Sequence, residues 1–337
     1  MEKFGKSQSV LRTEDNRFLT GTGTYIDDST PPASLFAYFF RSQVAHAEIA
    51  NLNVDDAKKA TGVYGVFTAE DLDKNGVKND LVGVTVKNRD GTDGACPKRP
   101  LLAEKRVRFV GEPIVLVVAD SITNAKDAAE LIEIDYDDLP ISIDLAIGEN
   151  TIHPEAPGNV AFEWDLGEKS KTDAVFKKAN KIVSMEVYNN RIIANSMEPR
   201  GCYAQWDNER LHLCFSGQGV WVHKRFASEI LGLQVEQIRV TNPDVGGGFG
   251  MKAMGYPEEF VVSFAAIHLK QPVRWMSERT EAMLSDNAGR DLQHFAELAF
   301  DANNKIVGYR VNTFCNLGAY NSRFGQNIQT GLFSKVL

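Results

Sequence analysis

The residues with the clearest chemical potential are four glycines within five positions, Gly246, Gly247, Gly248 and Gly250, in the stretch DVGGGFGMKAM. Glycine adopts positive φ angles without steric cost. A strand-like run, QIRVTN, precedes these glycines and a helix-like run, YPEEFVVSFAAIHL, follows them. Bare backbone at such a junction is suited to bind an anion or a closely apposed cofactor. A tight turn without a ligand is the alternative interpretation.

Residues 248–253 of the same stretch also match the dinucleotide-binding pattern G-x-G-x-x-G/A. A predicted strand precedes the match and a predicted helix follows it, as this motif requires. Two features weaken the match. Glu278, the acidic residue after the next predicted strand, lies thirty positions after Gly248, where about twenty is usual. Pro257 indicates that the helix begins several residues after the loop. An NAD-dependent dehydrogenase is therefore the alternative function.

Two polar residues stand near predicted turns. Gln218, in SGQG, follows the predicted strand LHLCFSG and precedes a predicted helix. Its neutral amide can donate and accept hydrogen bonds without adding charge. Glu198 lies in NSMEPRG, where an ordinary solvated carboxylate is an equally good interpretation. The sequence contains no serine-hydrolase, zinc-protease or P-loop motif, and its four cysteines form no C-x-x-C pair. It therefore shows no iron–sulfur or structural zinc pattern.

Composition and charge restrict the class of protein. The 337 residues carry a net charge of −8, which argues against a nucleic-acid partner because such binding requires clustered Lys and Arg. The longest apolar runs are too short to span a bilayer. The N-terminus has no apolar segment typical of a secretory signal. We therefore expect a cytoplasmic protein without a membrane span.

Hydrophobic periodicity predicts the α+β class and two domains. An extended N-terminal arm is expected over residues 1–20, and an α/β domain over 21–138. A linker rich in Gly, Pro and Asn follows over 139–165. Residues 166–337 are predicted to form the second domain, which includes the glycine-rich stretch and ends in a hairpin followed by a further strand.

The ordered series of motifs resembles the molybdopterin-binding large subunits of the xanthine dehydrogenase and aldehyde oxidase superfamily. Its branch with the large subunit of aerobic carbon monoxide dehydrogenase is the more similar one. SVLRTEDNRFLTGTGTYIDD resembles the N-terminal signature, and VRFVGEPIVLVVADSITNAKDAAELIEIDYDDLP resembles the end of the α/β hammerhead domain. NSMEPRGCYAQWD, SGQGVW and DVGGGFGMK then resemble the start of the molybdopterin domain. The resemblance implies a hammerhead domain followed by the first half of a molybdopterin-binding domain.

The resemblance also assigns roles to individual residues. It implies that the glycine loop lies against the molybdenum cofactor, and that Gln218, Gly247, Gly248, Phe249 and Gly250 bind it. The pterin dithiolene would hold the molybdenum, so no protein ligand to the metal is expected.

Three further residues are assigned by the resemblance to the substrate pocket: Glu198, Met251 and Ala253. Purine hydroxylases carry a substrate-binding glutamate where this chain has Ala253, which argues against xanthine. The general-base glutamate is expected beyond Leu337, so no catalytic residue is identified within the chain. The cysteine loop of a carbon monoxide enzyme would also lie beyond that residue.

The implied reaction is the hydroxylation of an aldehyde or an N-heteroaromatic carbon with oxygen derived from water. The implied cofactor is molybdenum-molybdopterin cytosine dinucleotide. Electrons would pass to an iron–sulfur small subunit and then to an FAD-containing medium subunit. A second chain that completes the molybdopterin domain is a further candidate partner. A scaffold subunit that has lost the cofactor is a third functional interpretation.

Overall fold

The computed structural model describes residues 10–81, 83–145, 148 and 150–332. The strands, β1 to β13 in chain order, are Leu35–Arg41, Ala47–Asn53, Val63–Phe67, Arg106–Val107, Pro113–Ala119, Glu133–Asp138, Lys181–Asn189, Gly201–Asp207, Arg210–Phe215, Ile238–Thr241, Val273–Met276, Leu292–Phe300 and Ile306–Cys315. The α-helices, α1 to α9, are Asp15–Leu19, Asp55–Lys59, Ala69–Lys74, Ile122–Ala129, Lys169–Lys178, Trp221–Leu231, Pro257–Leu269, Arg279–Ser285 and Gly325–Asn327. Short 3₁₀ helices are Pro157–Asn159, Val235–Gln237 and Met251–Ala253, and Ile328–Leu332 is a π-helix. The predicted α+β class is confirmed.

The largest sheet has seven strands in the order β10-β9-β8-β11-β1-β5-β3. Strand β5 is its most deeply buried member, since all of its residues are buried. A strand covered on both faces reads as a continuous apolar run, which explains the sequence PIVLVVA. This sheet joins strands from before and after the predicted linker, because β1 pairs in parallel with β11.

Helix α7 fills the core on one face of this sheet. Its residues from Pro257 to Ala266 are all buried, including Phe260 and Phe264. A helix that is apolar on all sides is typical of a buried position. Helix α4 packs against the opposite face of the sheet, beside β1 and β5. Its N-terminus is capped by Ser121, whose Oγ accepts the Asn124 N–H at 3.2 Å.

Two smaller sheets complete the described fold, in the orders β4-β2-β6 and β13-β12-β7. The hairpin predicted near the end of the chain is present as β12 and β13. The further strand predicted after it is absent from the described residues. The backbone beyond Cys315 instead forms turns, α9 and the π-helix.

The predicted N-terminal arm differs from the structure. Its first nine residues lie outside the described part of the chain. Extended backbone is wrong for Asp15–Leu19, which form α1. Two hydroxyls stabilise the end of this helix: Thr20 Oγ1 donates to the Asn16 carbonyl at 2.7 Å, and Thr22 Oγ1 donates to the Arg17 carbonyl at 3.2 Å.

Candidate functional site

Sheet topology brings the glycine-rich stretch next to Gln218. Strands β9 and β10 are parallel neighbours, with Leu213 opposite Val240. Their carboxyl ends therefore reach the same edge of the sheet. The chain leaves β9 toward Gln218 and leaves β10 toward the glycines. The segment from Gly246 to Gly250, called the glycine loop below, lies at this edge and runs into the 3₁₀ helix Met251–Ala253.

Gln218 is tied to the glycine loop on one side and open on the other. Its side-chain Oε1 accepts the Gly250 N–H at 2.8 Å, and its backbone N–H donates to the Lys252 carbonyl at 3.0 Å. The side chain is exposed. Its Nε2 donates no hydrogen bond within the described part of the chain. The hydrogen bond from Gly250 thus fixes Oε1 and leaves Nε2 of the exposed side chain available to donate.

The glycines are required by close contacts as well as by backbone angles. A Cβ at Gly248 would lie 2.6 Å from Gln218 Cδ, and a Cβ at Gly246 would lie 2.5 Å from Glu198 Cβ. Gly247 and Gly250 have φ angles of +99° and +82°, which side chains rarely adopt. A larger residue would clash at Gly246, Gly247 and Gly248, and the backbone angle would strain it at Gly250.

Three successive backbone N–H groups of the loop are available to a ligand. Those of Gly247, Gly248 and Phe249 have no acceptor among the described residues. Alternation of left- and right-handed backbone is typical of concavities that bind anionic oxygen atoms. Phe249 itself has a φ of +54°, and its side chain is 74% exposed. A strained, exposed aromatic residue of this kind indicates that another group covers it.

Glu198 holds the glycine loop from its buried side. Its Oε2 accepts hydrogen bonds from the Gly246 N–H at 2.8 Å, from Ser216 Oγ at 2.5 Å and from Lys252 Nζ at 2.9 Å. Its Oε1 accepts the Ile26 N–H at 3.3 Å. The carboxylate is therefore committed to the protein, and its contacts position the loop.

Lys252 is a functional residue that the sequence reasoning missed. Its side chain is fully buried, and Nζ donates to both Glu198 and Ser216 Oγ, the latter at 2.6 Å. Burial lowers the pKa of Lys252, and the adjacent Glu198 carboxylate opposes that shift. A lysine enclosed by Met251 and Ala253 directly after a glycine run is the signal that could have identified it, because buried lysines are rare without a partner.

We expect Lys252→Met to lower the free energy of unfolding by about 3 kcal/mol, because it leaves the buried Glu198 carboxylate without its cation. Thermal or denaturant unfolding of the purified protein measures this loss. Lys74→Met is the matched control, since Lys74 is exposed and pairs with Glu70 on the surface. Addition of Glu198→Gln to Lys252→Met should recover part of the stability. Equal stabilities of the Lys252 and Lys74 variants would contradict a stabilising role for the Lys252–Glu198 pair.

A second ion pair anchors the start of the glycine-rich stretch. Asp244 Oδ2 accepts the Thr24 N–H at 2.9 Å and Arg17 Nε at 3.0 Å. The Asp244 N–H in turn donates to the Thr24 carbonyl at 2.9 Å. The bond from Arg17, and then that from Thr24, lowers the pKa of Asp244 to about 2. Helix α1 therefore holds the chain two residues before the glycines.

The Asp244 contacts predict a pH-dependent contribution to stability. The pKa of Asp244 is depressed in the folded state, so the contribution is fully present above 3.8 and is lost as the pH falls toward about 2. Asp244→Asn should therefore be less stable than the parent protein at neutral pH, and the difference should shrink over that window. Unfolding curves at several pH values measure it, with the exposed Asp73→Asn as control. A difference independent of pH would contradict the assignment.

The remaining predicted site residues lie beside the glycine loop. Met251 is buried in a small cluster with Met254 and Tyr256. Ala253 is half-buried, and its N–H donates to the Gly250 carbonyl at 3.2 Å. Assignment of Glu198, Met251 and Ala253 to a substrate pocket stays a prediction.

The dinucleotide-binding alternative fails on topology. A dinucleotide-binding unit requires neighbouring parallel strands joined through a helix that begins at the glycines. Here β10 and β11 are separated in the sheet by β9 and β8. Helix α7 begins at Pro257, after the 3₁₀ helix, and the buried carboxyl groups of Glu258 and Glu259 occupy its first turn. That helix N-terminus is therefore unsuited to a phosphate.

The described residues contain no group of three or more His, Cys, Asp or Glu side chains that could hold a metal ion. None of the helices in the described ranges is long and apolar enough to cross a membrane.

Comparison with protein families gives two matches. Residues 20–140 match the α/β hammerhead domain of aldehyde oxidase and xanthine dehydrogenase. Residues 152–337 match the molybdopterin cofactor-binding domain. Together these matches include the whole glycine loop, Gln218 and Glu198.

Individual relatives extend the same likeness. The nicotine 6-hydroxylase large subunit of Paenarthrobacter nicotinovorans is 35% identical over 92% of this chain and 38% of its own length. The carbon monoxide dehydrogenase large chain of Hydrogenophaga pseudoflava is 32% identical over 94% of this chain and 40% of its own. Quinoline 2-oxidoreductase from Pseudomonas putida 86 superposes with a TM-score of 0.80 and 29% identity, over 94% of this chain and 40% of that one. The chain thus spans about two fifths of the length of these relatives.

Proposed function

The chain belongs to the aldehyde oxidase and xanthine dehydrogenase family of molybdopterin-binding proteins, and on that premise we propose that it forms part of the catalytic subunit of a molybdenum hydroxylase. The three available N–H groups of Gly247, Gly248 and Phe249, beside the free amide of Gln218, carry this proposal. A cofactor that brings its own metal ligands suits a loop that offers only backbone and one neutral amide.

The residues of the loop fit such a group. Gly247 and Gly248 present backbone N–H donors that have no acceptor among the described residues. Gln218 keeps its Nε2 available as a donor, because the Gly250 N–H binds only its Oε1. Exposed Phe249 forms an apolar wall that excludes water from one side of the ligand. Such preoriented donors stabilise oxygen atoms that gain negative charge during a reaction.

The molybdenum cofactor supplies the redox chemistry, and the substrate class we propose is an aldehyde or an N-heteroaromatic carbon that acquires an oxygen atom from water. Ala253 provides no charge for substrate binding, which favours a substrate without a recognition group at that position. Glu198 and Lys252 contribute indirectly, because they fix the glycine loop. The base that accepts the substrate proton would come from outside the described residues.

We also propose the cytosine dinucleotide form of the cofactor, and electron transfer to a small subunit with iron–sulfur clusters and a medium subunit with FAD. Relatives named as large subunits or large chains support a multi-subunit assembly. The assembly would be cytoplasmic. Residues 21–138 would form the hammerhead domain, residues 139–165 a linker, and residues 166–337 the first part of the molybdopterin domain.

Elemental analysis of the native complex, captured through this chain, tests the proposal. We expect about one molybdenum per complex, and cytidine monophosphate released by acid. An intact complex without molybdenum would instead favour a scaffold subunit. Bound NAD in place of molybdenum would restore the dehydrogenase interpretation despite the topology of the sheet.

A further inference from the structure

One face of the three-stranded sheet β13-β12-β7 carries apolar side chains that are largely exposed. Strand register determines the two faces, because residues directly opposite each other in neighbouring strands share a face. Met185 lies opposite Ala296, which lies opposite Val311. The face that contains these residues is called the apolar face below. Its apolar members along the strands are Val183, Met185, Val187, Ala296, Leu298, Tyr309 and Val311, and Leu292, Phe300, Ile306 and Cys315 lie on it at the strand ends.

The opposite face of the same sheet carries the charges, together with four exposed apolar side chains, Ile182, Tyr188, Phe295 and Phe314. Glu297 accepts Arg310 Nε at 2.5 Å and Ser184 Oγ at 3.2 Å. Helix α5 packs on this charged face, since the Arg310 guanidinium lies 4.2 Å from the centre of the Phe176 ring. The charged face, which would normally face water, is therefore partly covered by α5.

The apolar face, in contrast, is open. Met185 is 64% exposed, Tyr309 is 47% exposed and Val311 is 42% exposed. Between the strand ends, its described residues include no Lys, Arg, Asp or Glu. An antiparallel sheet normally buries its apolar face and exposes its polar one. Contiguous exposed apolar surface of this kind indicates an interaction site.

We infer that the apolar face is the interface with the polypeptide that corresponds to the remaining three fifths of the relatives, whether it continues this chain or is a separate subunit. The similar large subunits extend well beyond the matched portion, since this chain covers only 38% and 40% of them. The inference rests on the proposed function, because the family's cofactor domain would be completed against this sheet. An uncharged sheet face fits an equally apolar face of that polypeptide, because burial of an unpaired charge there would be costly.

A second copy of this chain fits less well. Two apolar faces of two copies could pack together, but that arrangement would leave no place for the polypeptide that the length of the relatives requires. A membrane surface is also a poorer match, since Lys181, at one corner, is the only Lys or Arg among the described residues of the apolar face. Membrane-binding surfaces combine apolar and basic residues.

Photo-crosslinking in the native complex tests this interface. A photoreactive amino acid replaces Met185 on the apolar face and, in the matched control, Asn312 on the charged face of β13. We expect the variant at position 185 to crosslink to peptides that align with the uncovered part of the relatives, with a yield at least tenfold above the control. Crosslinks to residues 1–337 of a second copy, crosslinks to an iron–sulfur or FAD subunit, or equal yields at both positions would overturn the inference.

Thiol reactivity provides an independent measurement. In the intact complex, Met185→Cys should react with a water-soluble maleimide at least tenfold more slowly than Asn312→Cys. Equal rates would show that the apolar face is open to solvent and would overturn the inference. Neither measurement depends on molybdenum, so failure of the interface and failure of the proposed cofactor site are distinguishable.

Discussion

Replacement of Gln218 by alanine is expected to reduce the turnover of the assembled enzyme by about a hundredfold or more, because loss of one preoriented donor at a reaction centre has an effect of that size. The Gln218 side chain is exposed, and its Oε1 accepts a single hydrogen bond, from Gly250. Its removal therefore creates no cavity in the core, and thermal unfolding should change little. Steady-state kinetics of the native complex, with molybdenum content measured in parallel, tests the prediction.

Gln218→Glu separates the two possible roles of the side chain. A carboxylate retains an acceptor for the Gly250 N–H but offers no amide donor. If donation toward the cofactor is the important property, this variant should be as slow as Gln218→Ala. If orientation of Gly250 is sufficient, it should keep most of its activity. Gln237→Ala is the control, since Gln237 hydrogen-bonds the Glu209 carbonyl at 3.2 Å in a loop outside the site. Full activity in both Gln218 variants would remove Gln218 from the site.

The glycine loop could be recognised from sequence because its signal is local. Four glycines between a strand and a helix predict bare backbone, and the structure shows a close contact or a left-handed φ angle at each of them. The terminal hairpin could be predicted for the same reason, since β12 and β13 are joined by a short turn.

The Glu198–Lys252 pair behind the glycine loop could not be predicted, because it depends on pairing between distant segments. Lys252 and Glu198 are 54 residues apart, and they meet only when β8 and β9 bring their neighbours to the edge where β10 ends. The stretch NSMEPRG by itself suggests that Glu198 is a solvated residue of a turn. Only the fold shows that its Oε2 accepts three hydrogen bonds.

The sheet that joins the two predicted domains escaped sequence reasoning for a related reason. The position of the linker follows from composition, which reports where the chain is irregular. It does not report which strands pair across the irregular segment. Strand β1 pairs with β11 more than two hundred positions later. The buried Arg41 makes the same connection, because its guanidinium donates to Glu258 at 2.7 Å and to Glu281 at 2.7 Å. The two predicted domains are therefore joined by strand pairing and by buried ion pairs.

Gly248→Ala is expected to lower the molybdenum content of the native complex by roughly tenfold or more, the size of effect seen when residues that orient a metal site are changed. The new Cβ would lie 2.6 to 2.7 Å from three atoms of the Gln218 side chain. This clash must be relieved, and the exposed Gln218 side chain is the group that would be displaced. Its displacement would remove both the amide donor and the bond to Gly250. Elemental analysis and released nucleotide measure the loss directly, and activity should fall further than molybdenum content because the Gln218 donor is displaced as well.

A matched glycine shows whether the loss is specific. A Cβ added at Gly289 would meet no atom within 4 Å, and the φ angle there is not positive, so Gly289→Ala should keep full molybdenum content. Gly248→Ala combined with Gln218→Ala removes the clash while leaving the glycine loop free to adopt its original path. If steric displacement is the cause, the double variant should regain molybdenum without regaining turnover, because space is restored and the donor is not. Normal molybdenum content in Gly248→Ala itself would show that the cofactor does not approach the loop closely.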